Sequence, residues 1–251
     1  ELMNIDGKNR RAITANDGCE RPSWHPSGKV LCFLFGTAVS RVDATGKNRK
    51  RLTLGYAEDH PTYSPDGKWI ALKPTDQVLI WDTASEEFVT EIPAYFRPQF
   101  SADSSRIAMY RDGEFIVYET GTWNELLRFG MPCDCIYALS PNLTLLATSE
   151  RTPAESIFIT IWDTSTGAQV QTLQASRGVT AFLAFSPDGR MLWRADQRGE
   201  LVAWNPSERT FFTETIGGIT PIFNLQGFKL TSDGRYYLLY SDLLLGLYGL
   251  P

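Results

Sequence analysis

Short runs of apolar, aromatic and β-branched residues recur along the chain, separated by clusters of Pro, Gly, Ser, Asp and Asn. Val30 to Phe35, Trp69 to Leu72, Ile107 to Tyr110, Leu145 to Thr148, Met191 to Trp193 and Tyr236 to Tyr240 each have the composition of a strand. Other runs, such as Phe88 to Ile92 and Gln169 to Leu173, alternate polar and apolar positions, as suits the half-exposed edge of a sheet. Helical periodicity, with apolar residues at i, i+3 and i+4, is almost absent. The pattern predicts an all-β protein.

Before each of the first set of runs stands one phrase: apolar residues, then Ser-Pro-Asp-Gly or a worn copy of it. The copies are Trp24 to Gly28, Tyr63 to Gly67, Phe100 to Ser104, Leu139 to Leu143, Phe185 to Gly189 and Leu230 to Gly234. Their last residues are 39, 37, 39, 46 and 45 positions apart, the period of a four-stranded propeller blade. Pro presets φ, Asp or Ser caps the turn, and Gly takes the position with positive φ. The phrase is thus a tight turn between first and second strands. Third strands follow at Val39 to Val42, Val78 to Trp81, Phe115 to Tyr118, Ile157 to Trp162 and Leu201 to Trp204.

Ile80-Trp81-Asp82-Thr83 and Ile161-Trp162-Asp163-Thr164-Ser165-Thr166-Gly167 resemble the Trp-Asp ends of WD-repeat blades. The first two units differ: Met3 to Thr14 and Val42 to Thr53 resemble TolB-like propeller repeats. The resemblance to one or other family covers nearly the whole chain and implies a six-bladed β-propeller of four-stranded antiparallel blades. The Gly-His dipeptide that opens a WD blade is lacking, and other units have Trp204-Asn205, Tyr118-Glu119 or Val42-Asp43 in place of Trp-Asp. A fourth strand from Arg10 to Thr14 beside Leu243 to Tyr248 would close the ring and hide its edges. Leu2 to Ile5 then reads as a surplus third strand, and a truncated seven-bladed ring is the alternative. Residues 1–251 are expected to form a single propeller domain, excised from a longer multidomain protein.

Composition narrows the function classes. A formal charge of −5 with interspersed signs provides no large positive field for nucleic acid or an anionic membrane. The most apolar stretch, Tyr236 to Leu250, is interrupted by Ser241, Asp242, Gly246 and Gly249 and is too short for a spanning helix. Four cysteines, Cys19, Cys32, Cys133 and Cys135, have neither disulfide-scaffold nor paired zinc-site spacing. Reduced thiols are expected, with a Cys19–Cys32 disulfide as the alternative. Asn142-Leu143-Thr144 is a formal glycosylation sequon. WD-like units point to the cytoplasm, the expected compartment, with a bacterial periplasm or cell envelope, to which TolB-like units point, as the alternative.

Nothing in the sequence assembles a catalytic constellation. The two histidines, His25 and His60, accompany no Gly-x-Ser-x-Gly, and His25 stands where other turn phrases carry Ser. Phosphate-binding glycine loops and His-Glu-x-x-His are also missing. No catalytic residue, metal site or cofactor is expected.

The expected function is a non-catalytic protein–protein interaction scaffold. Function on a rigid ring sits in its loops. Loops entering the first strands and those joining second to third strands share one face. Arg21, Asp59, His60, Arg97, Asp134 and Arg177 fall at first-strand entrances. The second-to-third connections add Arg111 to Glu114, Glu150 to Glu155 and Asp196 to Glu200, read as charged and solvated, with Arg111 and Arg198 as further partner-binding candidates. Arginine forks suit carboxylates, so an acidic protein or peptide would fit there. On the alternative reading the bases pair with Glu20, Asp59 and Asp134 of neighbouring blades. Tyr56, Tyr95 and Trp123 are candidate aromatic anchors. The resemblance also admits a gating or accessory domain of a larger, prolyl-peptidase-like enzyme, or a sensor domain of a multidomain signalling protein.

Overall fold

The five described turn phrases are closed by closely related sets of hydrogen bonds. In a computed structural model of the chain, the Ser64 hydroxyl donates to Asp66 Oδ1 (2.6 Å) and accepts from the Trp69 N–H (2.9 Å). Asp66 Oδ1 also accepts the Lys68 N–H at 3.0 Å. Ser101 with Asp103, Ser140 with Asn142 and Ser186 with Asp188 repeat the arrangement. In the first copy His25 replaces the serine: its Nδ1 accepts from the Ser27 hydroxyl (2.8 Å) and N–H (3.1 Å), so Nε2–H donates to Gly67 O at 3.2 Å. The last residue of these five phrases has positive φ, from +57° at Leu143 to +78° at Gly67. The sixth turn lies outside the described residues.

The structure describes residues 8–14, 18–53, 61–74, 76–94, 98–130, 136–151, 157–175, 179–196, 200–206, 210–215, 225–230, 236–241 and 245–249. Among them there is no helix. The chain divides into two compact units, Glu1–Arg128 and Phe129–Pro251, at the last strand of the third sheet.

The first unit carries three four-stranded antiparallel sheets, each in sequence order. Sheet one is β1 (Cys19–Trp24), β2 (Val30–Phe35), β3 (Ala38–Asp43) and β4 (Lys50–Arg51). Sheet two is β5 (Thr62–Tyr63), β6 (Trp69–Leu72), β7 (Gln77–Asp82) and β8 (Phe88–Pro93). Sheet three is β9 (Gln99–Phe100), β10 (Arg106–Arg111), β11 (Glu114–Glu119) and β12 (Glu125–Gly130).

The second unit repeats the plan. Sheet four is β13 (Ile136–Leu139), β14 (Leu145–Arg151), β15 (Ile157–Asp163) and β16 (Gln169–Gln174). Sheet five is β17 (Thr180–Phe185), β18 (Leu192–Asp196), β19 (Glu200–Asn205) and β20 (Thr210–Thr215). A three-stranded sheet follows: β21 (Leu225–Leu230), β22 (Tyr236–Ser241) and β23 (Leu245–Gly249).

Within each unit the sheets stack face to face, so inner strands are buried on both sides. Sheet two turns Trp69, Ala71, Val78, Ile80, Ile92 and Ala94 towards Phe100, Ile107 and Met109 of sheet three. Its other face packs Ile70, Leu72, Leu79 and Trp81 on Cys32, Leu34 and Val39 of sheet one. In the second unit Ile157, Ile159 and Ile161 of sheet four meet Leu183, Phe185, Leu192, Val202 and Trp204 of sheet five. A fully buried side chain of this size is worth roughly 1.5–3 kcal/mol. The stacking of successive four-stranded sheets is that of a β-propeller-like fold.

One expectation changes. Over 10–14 only Arg11 makes a β-bridge, and its Nη2 donates to Ala44 O (2.5 Å) at the turn of sheet one. Leu2 to Ile5 lies outside the described residues. Cys19 and Cys32 form no disulfide, in keeping with the expected reduced thiols. In the β1–β2 register Cys19 faces Phe35 and Cys32 faces Ser23, which separates the two cysteines by several rungs of the ladder.

Gly67 combines φ +78° with a place against the His25 imidazole, which a Cβ would overlap, whereas Gly113 has φ +82° and open space around it. Gly113→Ala therefore isolates backbone strain, about 1 kcal/mol. Gly67→Ala adds the clash and loses the hydrogen bond from His25, so it should cost about 1 kcal/mol more. Equilibrium denaturation of both variants measures the difference.

Candidate functional site

Every four-stranded sheet has two unlike ends. At one, called here the turn end, first strands pass into second and third into fourth. Its polar side chains are consumed locally. Thr83, Thr120 and Thr164, each following the acid that ends a third strand, donate their hydroxyls to Gly67 O, Ser104 O and Leu143 O at 2.6 Å. These are the carbonyls of the positive-φ residues, so one turn of each sheet is tied to the other. Asp82 and Asp163 Oδ1 accept backbone N–H groups of the following residues. Between sheets, Ser104 Oγ accepts the Asp66 N–H at 2.9 Å. Carboxylates fed by so many donors stay ionised. The Ser101 hydroxyl, followed by the Ser105 N–H and hydroxyl, pulls Asp103 down to about 2, and the Ser186 hydroxyl and Arg190 N–H lower Asp188.

At the other end, the hairpin end, second strands pass into third. Arg111 to Glu114 form a two-residue Asp-Gly hairpin with φ +52° and +82°, the signs of a type I′ turn. Arg111 Nε donates to Asp112 Oδ2 at 3.0 Å, with side chains 44% and 58% exposed. Glu114 accepts from Arg128 Nη1 (2.5 Å), which also holds Glu125 (2.8 Å). Exposed pairs of this kind contribute about 0–1 kcal/mol, so their charges can be redirected at little cost. Arg21 lies at the same end of sheet one, in a β-bulge between Glu20 and Ser23 with φ +54°. Arg21 and Arg111 thus share an end of the first unit. Asp59, His60, Arg97, Asp134, Arg177 and Arg198 lie outside the described residues, as do Tyr56 and Tyr95.

The connection from Asp196 to Glu200 departs from the solvated reading. Asp196 is 1% exposed and closes β18, and its Oδ1 accepts the Glu200 N–H at 2.8 Å. The cause is Arg194, which is fully buried between sheets four and five. Its Nε donates to Thr180 Oγ1 (2.9 Å), Thr180 accepts from Ser149 (2.7 Å), and Nη1 reaches Glu200 at 3.4 Å. Burial lowers the Arg194 pKa, against the pull of Asp196 and Glu200. The acids turn inward because an unpaired buried guanidinium would be prohibitive. The cluster thus fixes Asp196 and Glu200. Sequence reading ended this strand at Trp193; the alternation of Arg194 and Asp196 in an apolar run was the available signal.

Trp123, a candidate anchor, is a packing residue: it has φ +59° and meets Trp69 edge to face at 5.1 Å. The Cys32 thiol sits 2.7 Å from the Tyr63 hydroxyl, and burial pushes it up to about 12, so it stays protonated at neutral pH. No described group of three His, Cys, Asp or Glu side chains could hold a metal ion. No described helix is long and apolar enough to cross a membrane. No family model matches the chain, and a search of curated proteins finds no match.

Two outcomes follow. Arg194→Met removes one member of a buried ion cluster and strands its acids, so denaturation should show a loss of about 3–5 kcal/mol. Asp103 has a folded pKa of about 2, below the ordinary aspartate value of 3.8. Its stabilising contribution is therefore complete above pH ~4 and is lost as pH falls through ~2. Thermal melts of the wild type and Asp103→Asn across that window should differ above pH 4 and converge below it.

Proposed function

We propose that the chain is a six-bladed β-propeller that serves as a non-catalytic protein-interaction platform and receives partners on the hairpin end. The observation that carries this reading is the contrast between the two ends. Polar groups of the turn end are committed to the fold, by Ser, Asp and Thr bonds that recur from sheet to sheet. At the hairpin end, Arg111, Asp112, Glu114 and Arg128 hold only exposed ion pairs. Such pairs can be exchanged for a partner's carboxylates and cations, and charged rims of this kind steer encounter more than they add affinity. Arg21 and Arg111 make an acidic segment the favoured partner. The sequence resemblance to WD-repeat and TolB-like blades supports the ring, and propeller rings typically work through loops at one end.

The reading is tested with a photo-crosslinking residue placed at Thr37, in the β2–β3 hairpin, or at Ala84, in the β7–β8 turn, both exposed. Crosslinks to partner proteins from Thr37, several-fold weaker in Arg21→Glu/Arg111→Glu, are expected. Equal or stronger capture from Ala84 would reject the hairpin end as the site.

A further inference from the structure

We propose that the cleft between sheets one and two, near the turn end, is a binding site for an amide group. Its lining is Arg41, Leu52, Tyr63, Ile70, Trp81, Asp82, Thr83 and Glu86, around a recess of about 20 Å³ that opens to solvent and admits the polar head of a ligand. The site is independent of the hairpin end.

Two donors in this lining are buried without a hydrogen-bond partner among the described residues: Arg41 Nε and Trp81 Nε1. Leaving such a group unsatisfied forfeits its hydration without return, so each calls for an acceptor. Comparison with sheet four explains the vacant indole. There, Trp162 faces Leu146, and its Nε1 donates to Thr148 Oγ1, two residues further along β14, at 3.0 Å. In sheet two, Trp81 faces Ile70, and the residue two further along β6 is Leu72, which has no acceptor. The same tryptophan position has kept its donor and lost its internal partner.

Arg41 is held in place by its other edge. Nη2 bonds Glu86 Oε1 at 2.5 Å, and Lys50 Nζ bonds the second oxygen of the same carboxylate. Glu86, at φ +59° in the β7–β8 turn, thereby clamps the guanidinium across the sheet boundary. The charges of Arg41, Lys50, Asp82 and Glu86 balance, and the two carboxylates disfavour an anionic ligand. An amide matches both sets of groups: its carbonyl oxygen accepts from Arg41 and Trp81, and its N–H donates to Glu86, which caps no turn. Leu52, Ile70 and the Tyr63 and Trp81 rings provide apolar walls for the attached carbon. A main-chain amide and an Asn or Gln side chain share this chemistry.

The test follows the Trp81 indole N–H in ¹⁵N-labelled protein, assigned with Trp81→Phe, during titrations with propionamide, N-methylacetamide and acetate. A saturable downfield shift with an amide is expected, propionamide standing for a side-chain source and N-methylacetamide for a main-chain one. Arg41→Lys keeps the charge opposite Glu86 but removes Nε–H, and should weaken the response about tenfold. Leu72→Thr restores the acceptor that Thr148 supplies in sheet four; it should move the indole resonance without ligand and abolish the response. No saturable response to either amide would leave only a water site and overturn the proposal, as would tighter binding of acetate.

Discussion

The hydrogen-bonded turn between first and second strands is the constraint on which the rest depends. A serine hydroxyl that both donates to an Asp or Asn carbonyl-type oxygen and accepts the first N–H of the next strand leaves little freedom in that strand's starting point. Since side chains alternate faces along a strand, a slip of one residue would invert every apolar position. The turn therefore decides which residues face the preceding sheet and which the following one. The double-sided cores around Ile70 and Leu72, and around Val78 and Ile80, are its consequence. Thr83, Thr120 and Thr164 extend the control by binding the third-to-fourth turn to the same carbonyls.

Satisfying one end so completely divides the labour of the sheet. Side chains that cap turns are not available to a partner, while the opposite end keeps hairpins whose charges are only loosely matched. Stability and recognition then draw on different residues, and changes in one need not disturb the other. The Arg194 cluster is where the division breaks down, because a buried cation there draws the acids of a hairpin-end connection into the interior.

The strand plan was largely legible because its signals are local. The predicted second and third strands match the observed ones to within a few residues, since apolar runs between Pro and Gly clusters admit few alternatives. Even the histidine in the first turn phrase was readable as a serine substitute from its alignment alone. What sequence reading missed depends on pairing across the fold. Arg194 and Asp196 look like surface residues until Thr180 and Glu200 are placed beside them. The Trp81 donor looks like its counterpart in sheet four until Leu72 is seen where Thr148 stands. Trp123 reads as an exposed aromatic until Trp69 covers its ring.

The fourth turn phrase carries a consequence for modification. Asn142 Oδ1 accepts the Ser140 hydroxyl, the Thr144 N–H and the Thr144 hydroxyl, so the amide oxygen of Asn142 and both of these Thr144 groups close the turn. Leu143 between them is 1% exposed and held at φ +57°. An enzyme attaching a sugar to Asn142 would have to draw a core leucine out and break three hydrogen bonds. Such a mark could be added only while the chain is still unfolded, and the sugar, carried on Nδ2, would leave Oδ1 to close the turn afterwards.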